Sequence, residues 1–367
     1  MAARAQNLAE EAVLVFPGGM DRSLDYAHQA TGSRRRVVGA SSLAYDPARA
    51  NYADWVRLPL VTEPAFEGAL RDAVEGKKIG EIFTPHPMIG DYLERRLAEI
   101  APGVRLVHES LLDVPETYRR LTRAVDALTD GPWDVAGPPP RTEELGRIER
   151  YALFNHARTL PGQCDNEKIW AICEVLRRCP PGDLVEIGSL WGKSAFVLTW
   201  LARRFAIGPV LCIDPWSAET RHQHDEGGKV NAFADRMDFD AAFEIFQINL
   251  ADFDGRWINF LRSTSQEAVA VYTEKHDVRS ETFGRTRYAG QIAFLHIDGN
   301  HDHASVADDI ALWAPLVMPG GWIMLDDYRW AFGHGPKLAG ENLLSVYAGR
   351  IGAAFVADSA LFLWLEG

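Results

Sequence analysis

The chemistry in this chain is concentrated in two short acidic stretches. Leu295-His296-Ile297-Asp298-Gly299-Asn300-His301 and Met324-Leu325-Asp326-Asp327-Tyr328 each run from apolar residues into carboxylates. Short apolar runs stopped in this way read as buried strands of a parallel sheet. If the two strands are neighbours, Asp298, Asp326 and Asp327 meet at one rim. Three carboxylates that close repel one another, and a cation relieves the repulsion. All-oxygen ligation favours Mg²⁺, with Ca²⁺ or Mn²⁺ as the other choices. His301, three residues past Asp298, is then placed to reach a hydroxyl held by that metal. A metal makes such a hydroxyl more acidic, and a histidine accepts its proton.

A second constellation lies upstream, in Val185-Glu186-Ile187-Gly188-Ser189-Leu190-Trp191-Gly192-Lys193-Ser194. Here a strand ends in an acidic residue and two glycines open a helix. Gly188 allows a tight turn and a close ligand, and Gly192 lets the helix start against the sheet. A phosphate-binding P-loop needs Gly, four residues, then Gly-Lys-Ser/Thr. Counting back from Gly192 puts Ile187 at the first position, one residue short. A dinucleotide GxGxxG also fails, because position 190 is Leu. What remains is acidic-x-Gly-x-x-x-Gly. Cys212-Ile213-Asp214-Pro215-Trp216 then places Asp214 at the end of a second strand, 26 residues beyond Gly188. An acidic side chain there can accept both hydroxyls of a ribose. Trp216 would flank an adenine or shape the entrance.

These residues need strands to end beside one another. From about Arg150 the sequence alternates accordingly: strands at 183–187, 210–213, 257–261, 292–297 and 322–325, with helices at 193–205 and 304–316. A polar insert, roughly Ser217 to Gly228, contains His222, His224, Asp225 and Glu226 and reads as a solvated lid. Asp308 and Asp309 read as the solvent face of the 304–316 helix. The runs 353–356 and 361–365 read as an antiparallel pair at the sheet edge. The N-terminal part alternates too, with apolar runs at 12–16, 37–38, 79–84 and 104–108 and helical stretches at 66–74 and 89–100. It therefore predicts a small parallel α/β domain over residues 1–130. Residues 131–149 read as a linker, since 131–140 hold four prolines and two glycines. Residues 150–367 form the second domain.

The 367 residues suit two domains, and 47% hydrophobic with 24% charged residues excludes wholesale disorder. The net charge of −13 argues against duplex nucleic acid or an anionic membrane as the main partner. No apolar run approaches the ~20 residues of a membrane helix. The four cysteines, none in a CxxC pair, and the lack of a secretory leader predict a cytoplasmic protein with reduced thiols.

Taken in order, EIGSLWGKS, CIDPW, HIDGNH and PGGWIMLDDY resemble class I S-adenosylmethionine-dependent methyltransferases. Within those they resemble the metal-dependent macrocin and mycinamicin type of sugar O-methyltransferase. The resemblance implies an α/β fold with a C-terminal Rossmann-like methyltransferase sheet behind a smaller N-terminal α/β domain. It implies S-adenosylmethionine on Glu186, Gly188, Ser189, Gly192, Asp214 and Trp216, and Mg²⁺ or another divalent cation on Asp298, Asp326 and Asp327. His301 would be the general base. The implied acceptor is a hydroxyl of a small molecule, such as a sugar or another natural-product intermediate, and a homo-oligomer is a further expectation. Asn300 stands where relatives often carry Ser or Asp. VLVFPGG, VVGASS and IFTPHP more faintly resemble the small domain that precedes the body of ATP-grasp ligases, and imply an auxiliary role. The rivals are a nucleotide-dependent oxidoreductase, against which the missing GxGxxG speaks, and a non-catalytic methyltransferase-like binding module.

Overall fold

The most apolar short runs of the sequence become the central strands of two separate sheets. The structure is a computed structural model that describes residues 12–131, 137–224 and 228–366. The chain divides into two units, Met1–Arg119 and Arg120–Gly367.

The first unit is built from β1 (Ala12–Val15), α1 (Asp21–Gly32), β2 (Val37–Ser41), β3 (Asp54–Arg57), α2 (Phe66–Lys77), β4 (Ile79–Thr84), α3 (Pro87–Ile100) and β5 (Arg105–His108). Its five strands are all parallel, in the order β3-β2-β1-β4-β5. β1 is central and wholly buried, as a strand covered on both faces must be. Phe66, Leu70 and Ala73 of α2 and Leu93, Leu97 and Ile100 of α3 recur at helical spacing and pack on Leu14, Val38 and Ile82. β3 was not foreseen. Its Asp-Trp-Val-Arg is a partly exposed edge strand with a charge at each end, so it shows no apolar run.

The second unit begins before residue 150. In α4 (Val114–Thr129), which lies within the residues 1–130 expected as the first domain, Leu121 and Val125 bury in the second unit's core. Of the expected linker, residues 132–136 lie outside the described residues. Beyond them the chain is packed: the Arg141 N–H donates to the Arg177 carbonyl (2.8 Å), and Leu145 is buried beside the following helix, α5 (Arg147–Ala157). Apolar side chains at these spacings gain more from burial than a solvated linker would keep.

The unit continues through α6 (Asn166–Leu176), β6 (Asp183–Ile187), α7 (Lys193–Phe205), β7 (Val210–Ile213), α8 (Ala218–Arg221), α9 (Gly228–Ala234), α10 (Phe239–Leu250) and β8 (Ile258–Leu261). There follow α11 (Ser265–Ala270), β9 (Asp277–Ser280), β10 (Gly284–Arg287), β11 (Ile292–Ile297), α12 (His303–Trp313), β12 (Val317–Leu325), α13 (Gly335–Val346), β13 (Ile351–Ala357) and β14 (Ala360–Leu365). Seven strands form one sheet in the order β13-β14-β12-β11-β6-β7-β8. β14 runs antiparallel to both its neighbours, and the β12-to-β8 pairs are parallel. This is the expected Rossmann-like α/β sheet. The expected edge pair is present, with β14 inserted between β12 and β13. The β9–β10 hairpin was missed because its strands are polar and four residues long. Strand order reverses between β6 and β11, and that is where open α/β sheets hold their ligands.

Asp309 corrects the reading of α12. Asp308 is exposed, but Asp309 is buried 5% exposed and accepts a hydrogen bond from Ser265. Burial pushes its carboxyl up to about 6, the Ser265 hydroxyl opposes the shift and the charge of Asp308 adds to it. Between about 4 and about 6 the folded chain therefore holds a proton that the unfolded chain has released. This contribution to stability is full at low pH and is lost as pH rises to about 6. Asp309→Asn is expected to raise the melting temperature at pH ~8 by more than at pH ~5, read by thermal unfolding. An equal effect at both would mean that Asp309 does not titrate in this range.

Candidate active site

Register brings the chemistry together. Ile297 pairs with Ile187 on one side and Leu325 on the other, so Gly188, Asp298 and Asp326 are the next residues on three adjacent strands. The Asp298 N–H donates to the Ile187 carbonyl (2.8 Å) and the Asp326 N–H to the Ile297 carbonyl (2.9 Å). Gly188 has φ +87°, and a Cβ there would collide with the Asp298 carbonyl oxygen. Gly192 has φ +85° and starts α7, as the glycine spacing required.

Asp214 holds the loop between these glycines. Its Oδ2 accepts from the N–H groups of Ser189 (3.1 Å) and Leu190 (3.0 Å) and from Arg221 (2.8 Å), while Oδ1 accepts from the Trp216 N–H (2.7 Å). Asp214, expected on a ribose, is buried, and its carboxylate takes up backbone N–H groups of the turn that have no other partner there. Trp216 is corrected. Its indole is buried, donates to the Leu190 carbonyl (2.8 Å) and packs on Phe243 and Phe246 at 4.8 and 4.9 Å. Both effects favour the core over an open adenine slot. Glu186 is buried, accepting from the Ser189 hydroxyl (2.5 Å) and lying 3.0 Å from His296 Nδ1.

The carboxylate trio is divided. Lys168 of α6, 3% exposed, donates to both oxygens of Asp326 at 2.8 Å, and the Ser359 hydroxyl donates at 2.9 Å. His296 sits between Glu186 and Asp326, its Nε2 3.5 Å from Asp326. Burial opposes charge on His296, but the neighbouring carboxylates of Asp326 and Glu186 prevail, and its pKa rises to about 10. Burial likewise opposes ionisation of Asp326, yet His296 and Lys168 hold it well below the usual carboxylate range. The counter-charge expected from a metal is thus supplied to Asp326 by protein cations. Asp298 is different. Burial and the charges of Asp326 and Asp327 push its carboxyl well above the ordinary range, against the pull of His296 and Lys168.

His301 lies with Asp298 and Asp327, their ligand atoms all within 4.8 Å of one another. Its Nε2 is 2.8 Å from Asp327 Oδ2, and its Nδ1 2.8 Å from the Gln223 amide. A second set within the same span is His296, Asp298 and Asp326. Asp298 belongs to both sets, and Lys168 also lies 4.0 Å from Asp358. Oxygen donors with one imidazole suit Mg²⁺ or Mn²⁺.

The polar insert is less free than expected. Asn300 donates to the carbonyls of Thr220 (3.0 Å) and His222 (2.9 Å), and the His224 N–H donates to Asp302 (2.9 Å). Asp225 and Glu226 lie outside the described residues. A cavity of about 500 Å³ joins Gly188–Lys193 to Asp298, His301 and Asp327. Lys168, Gln223 and His296 were missed. A lysine beside Ile169 and Trp170, and a histidine inside an apolar strand, were the available signals.

Residues 185–328 match a family model described as a methyltransferase domain. Among solved structures, the chain is similar to the O-methyltransferase NovP at 15% identity, over 70% of this chain and 100% of that one, with a TM-score of 0.43. It is similar to CalS11, a TDP-rhamnose 3'-O-methyltransferase of calicheamicin biosynthesis, at 16% identity over 70% and 96%, with a TM-score of 0.38. It is also similar to MycE, a methyltransferase of the mycinamycin pathway solved with Mg and SAH, at 14% identity over 75% and 61%, with a TM-score of 0.31. No curated protein matches the chain.

Proposed function

We propose, from the premise that residues 185–328 are a methyltransferase domain, that the chain moves the methyl group of S-adenosylmethionine to a hydroxyl of a small natural product. The oxygen–carbon bond forms as the sulfur–carbon bond breaks, the electron pair stays on sulfur, and the hydroxyl proton leaves. One observation carries this reading: a single cavity joins the loop opened by Gly188 to the Asp298–His301–Asp327 cluster.

Each residue has a task in it. Gly188 and Gly192 give the cofactor a close approach to backbone, and Asp214 keeps that loop in shape. Asp298 and Asp327 would hold a divalent cation, with Asp326 drawn to Lys168. When bound, such an ion lowers the pKa of a hydroxyl beside it. Gln223 and Asp327 hold the His301 ring at its two nitrogens. His301 would take the hydroxyl proton at Nδ1, with the acceptor hydroxyl displacing the Gln223 amide, while Asp327 at Nε2 stabilises the imidazolium that results. Much of the rate comes from holding oxygen and methyl in line at ~3–3.5 Å. The partners in this reading are small molecules, in the cytoplasm. No helix among the described residues is long and apolar enough to cross a membrane.

Methyl-labelled S-adenosylmethionine incubated with candidate hydroxyl acceptors is expected to give a labelled ether. Chelation with EDTA should abolish turnover, Mg²⁺ should restore it, and calorimetry should find cofactor binding largely unchanged. Turnover undiminished by EDTA would remove the metal from the reading. Absence of S-adenosylmethionine binding would overturn the reading as a whole.

A further inference from the structure

The identity of the acceptor can be taken further, resting on the methyl-transfer reading. We infer that the reacting hydroxyl is carried by a flat aromatic ring that packs against Trp330.

The indole of Trp330 covers the imidazole of His301, ring centroids 4.2 Å apart, and meets Phe332 at 5.6 Å. Val230 and Phe233 of α9 line the same cavity. Phe233 is 61% exposed and Phe332 48% exposed. Two large apolar rings left open at a cavity mouth lose free energy to water, and an apolar occupant recovers it.

The polar side chains around His301 are already committed to one another. The Gln223 amide faces His301 Nδ1 (2.8 Å), Asn300 donates to two backbone carbonyls, and Asp302 accepts from His224. Lys168 and Ser359 both serve Asp326. A sugar would bring several hydroxyls out of water to a wall of rings, and polar groups left unpaired there are costly to bury. An aromatic hydroxyl brings a single polar group to the His301–Asp327 pair and offers its ring face to Trp330. It is also the easier acid. A phenol of pKa ~10 gives its proton to an imidazole far more readily than a sugar alcohol does.

The test uses the full chain saturated with S-adenosylhomocysteine, whose own binding is measured first by calorimetry. Catechol and methyl rhamnoside are then titrated in parallel. Catechol is expected to bind at least about tenfold tighter. Trp330→Leu keeps apolar bulk without the ring and should weaken catechol about tenfold, whereas Trp330→Phe should stay within about threefold. Both variants should keep the parent's affinity for S-adenosylhomocysteine. Tighter binding of methyl rhamnoside, or one catechol affinity across parent and variants, overturns the inference. Failure to bind S-adenosylhomocysteine overturns the methyl-transfer reading instead, and is seen before either acceptor probe is added.

Discussion

His301→Ala is expected to lower turnover about 100- to 10,000-fold, the range of a lost general base. Cofactor affinity should stay within about threefold. The geometry dictates both halves. His301 sits in the cavity with its ring held between Gln223 and Asp327 at 2.8 Å each, so it is aimed rather than mobile. The loop from Gly188 to Gly192 is held by Asp214, Trp216 and Glu186, with no contribution from His301. The measurement is labelled-methyl turnover beside calorimetry with S-adenosylhomocysteine. A variant that keeps most of its turnover would transfer the base role elsewhere. A variant that loses the cofactor to the same extent would make His301 a binding residue.

Lys168→Met should destabilise the fold by about 3–5 kcal/mol, because it strands a buried carboxylate. Asp326 is buried, and Lys168 reaches both its oxygens. Removing the ammonium leaves His296, 3.5 Å away and shared with Glu186, as the remaining cation. For a unit of this size the loss corresponds to about 6–20 °C in melting temperature. The double change Lys168→Met with Asp326→Leu removes both charges and should recover most of that stability. Thermal unfolding of parent, single and double variants checks the pair. A single variant as stable as the parent would mean that water or an ion already neutralises Asp326.

Much of this was legible because strand ends are punctuated. Asp214, Asp298 and Asp326 each end an apolar run, with Glu186 one residue before the end of its own, and register then put Gly188, Asp298 and Asp326 side by side. Glycine spacing foretold the turn that Gly188 and Gly192 make. The sequence could not reveal what each side chain faces. Asp214 looked like a ligand group, and it turned to the backbone donors of a loop 24 and 25 residues away. Trp216 looked like a stacking surface and went into the core, since three phenylalanines from α10 and β8 converge on it. Lys168 lies 158 residues from its partner, a separation that no local pattern encodes. Asp309 read as solvent-facing because its neighbour is, although one step along a helix turns the side chain by about 100°.

The place of β14 in the sheet governs how the site can come into being during synthesis. Residues 360–365 fill the gap between β12 and β13, and the turn just before them supplies the Ser359 hydroxyl to Asp326. A ribosome-bound chain that has made Asp298, His301 and Asp327 still lacks that strand, so β12 has an open edge with unpaired backbone groups. Pairing across such long sequence separations is slow, and exposed edges invite other chains. The bond from Ser359 to Asp326 therefore forms only after the other rim residues have been made. An emerging chain carries its acidic rim unfinished until residues 360–365 have left the exit tunnel.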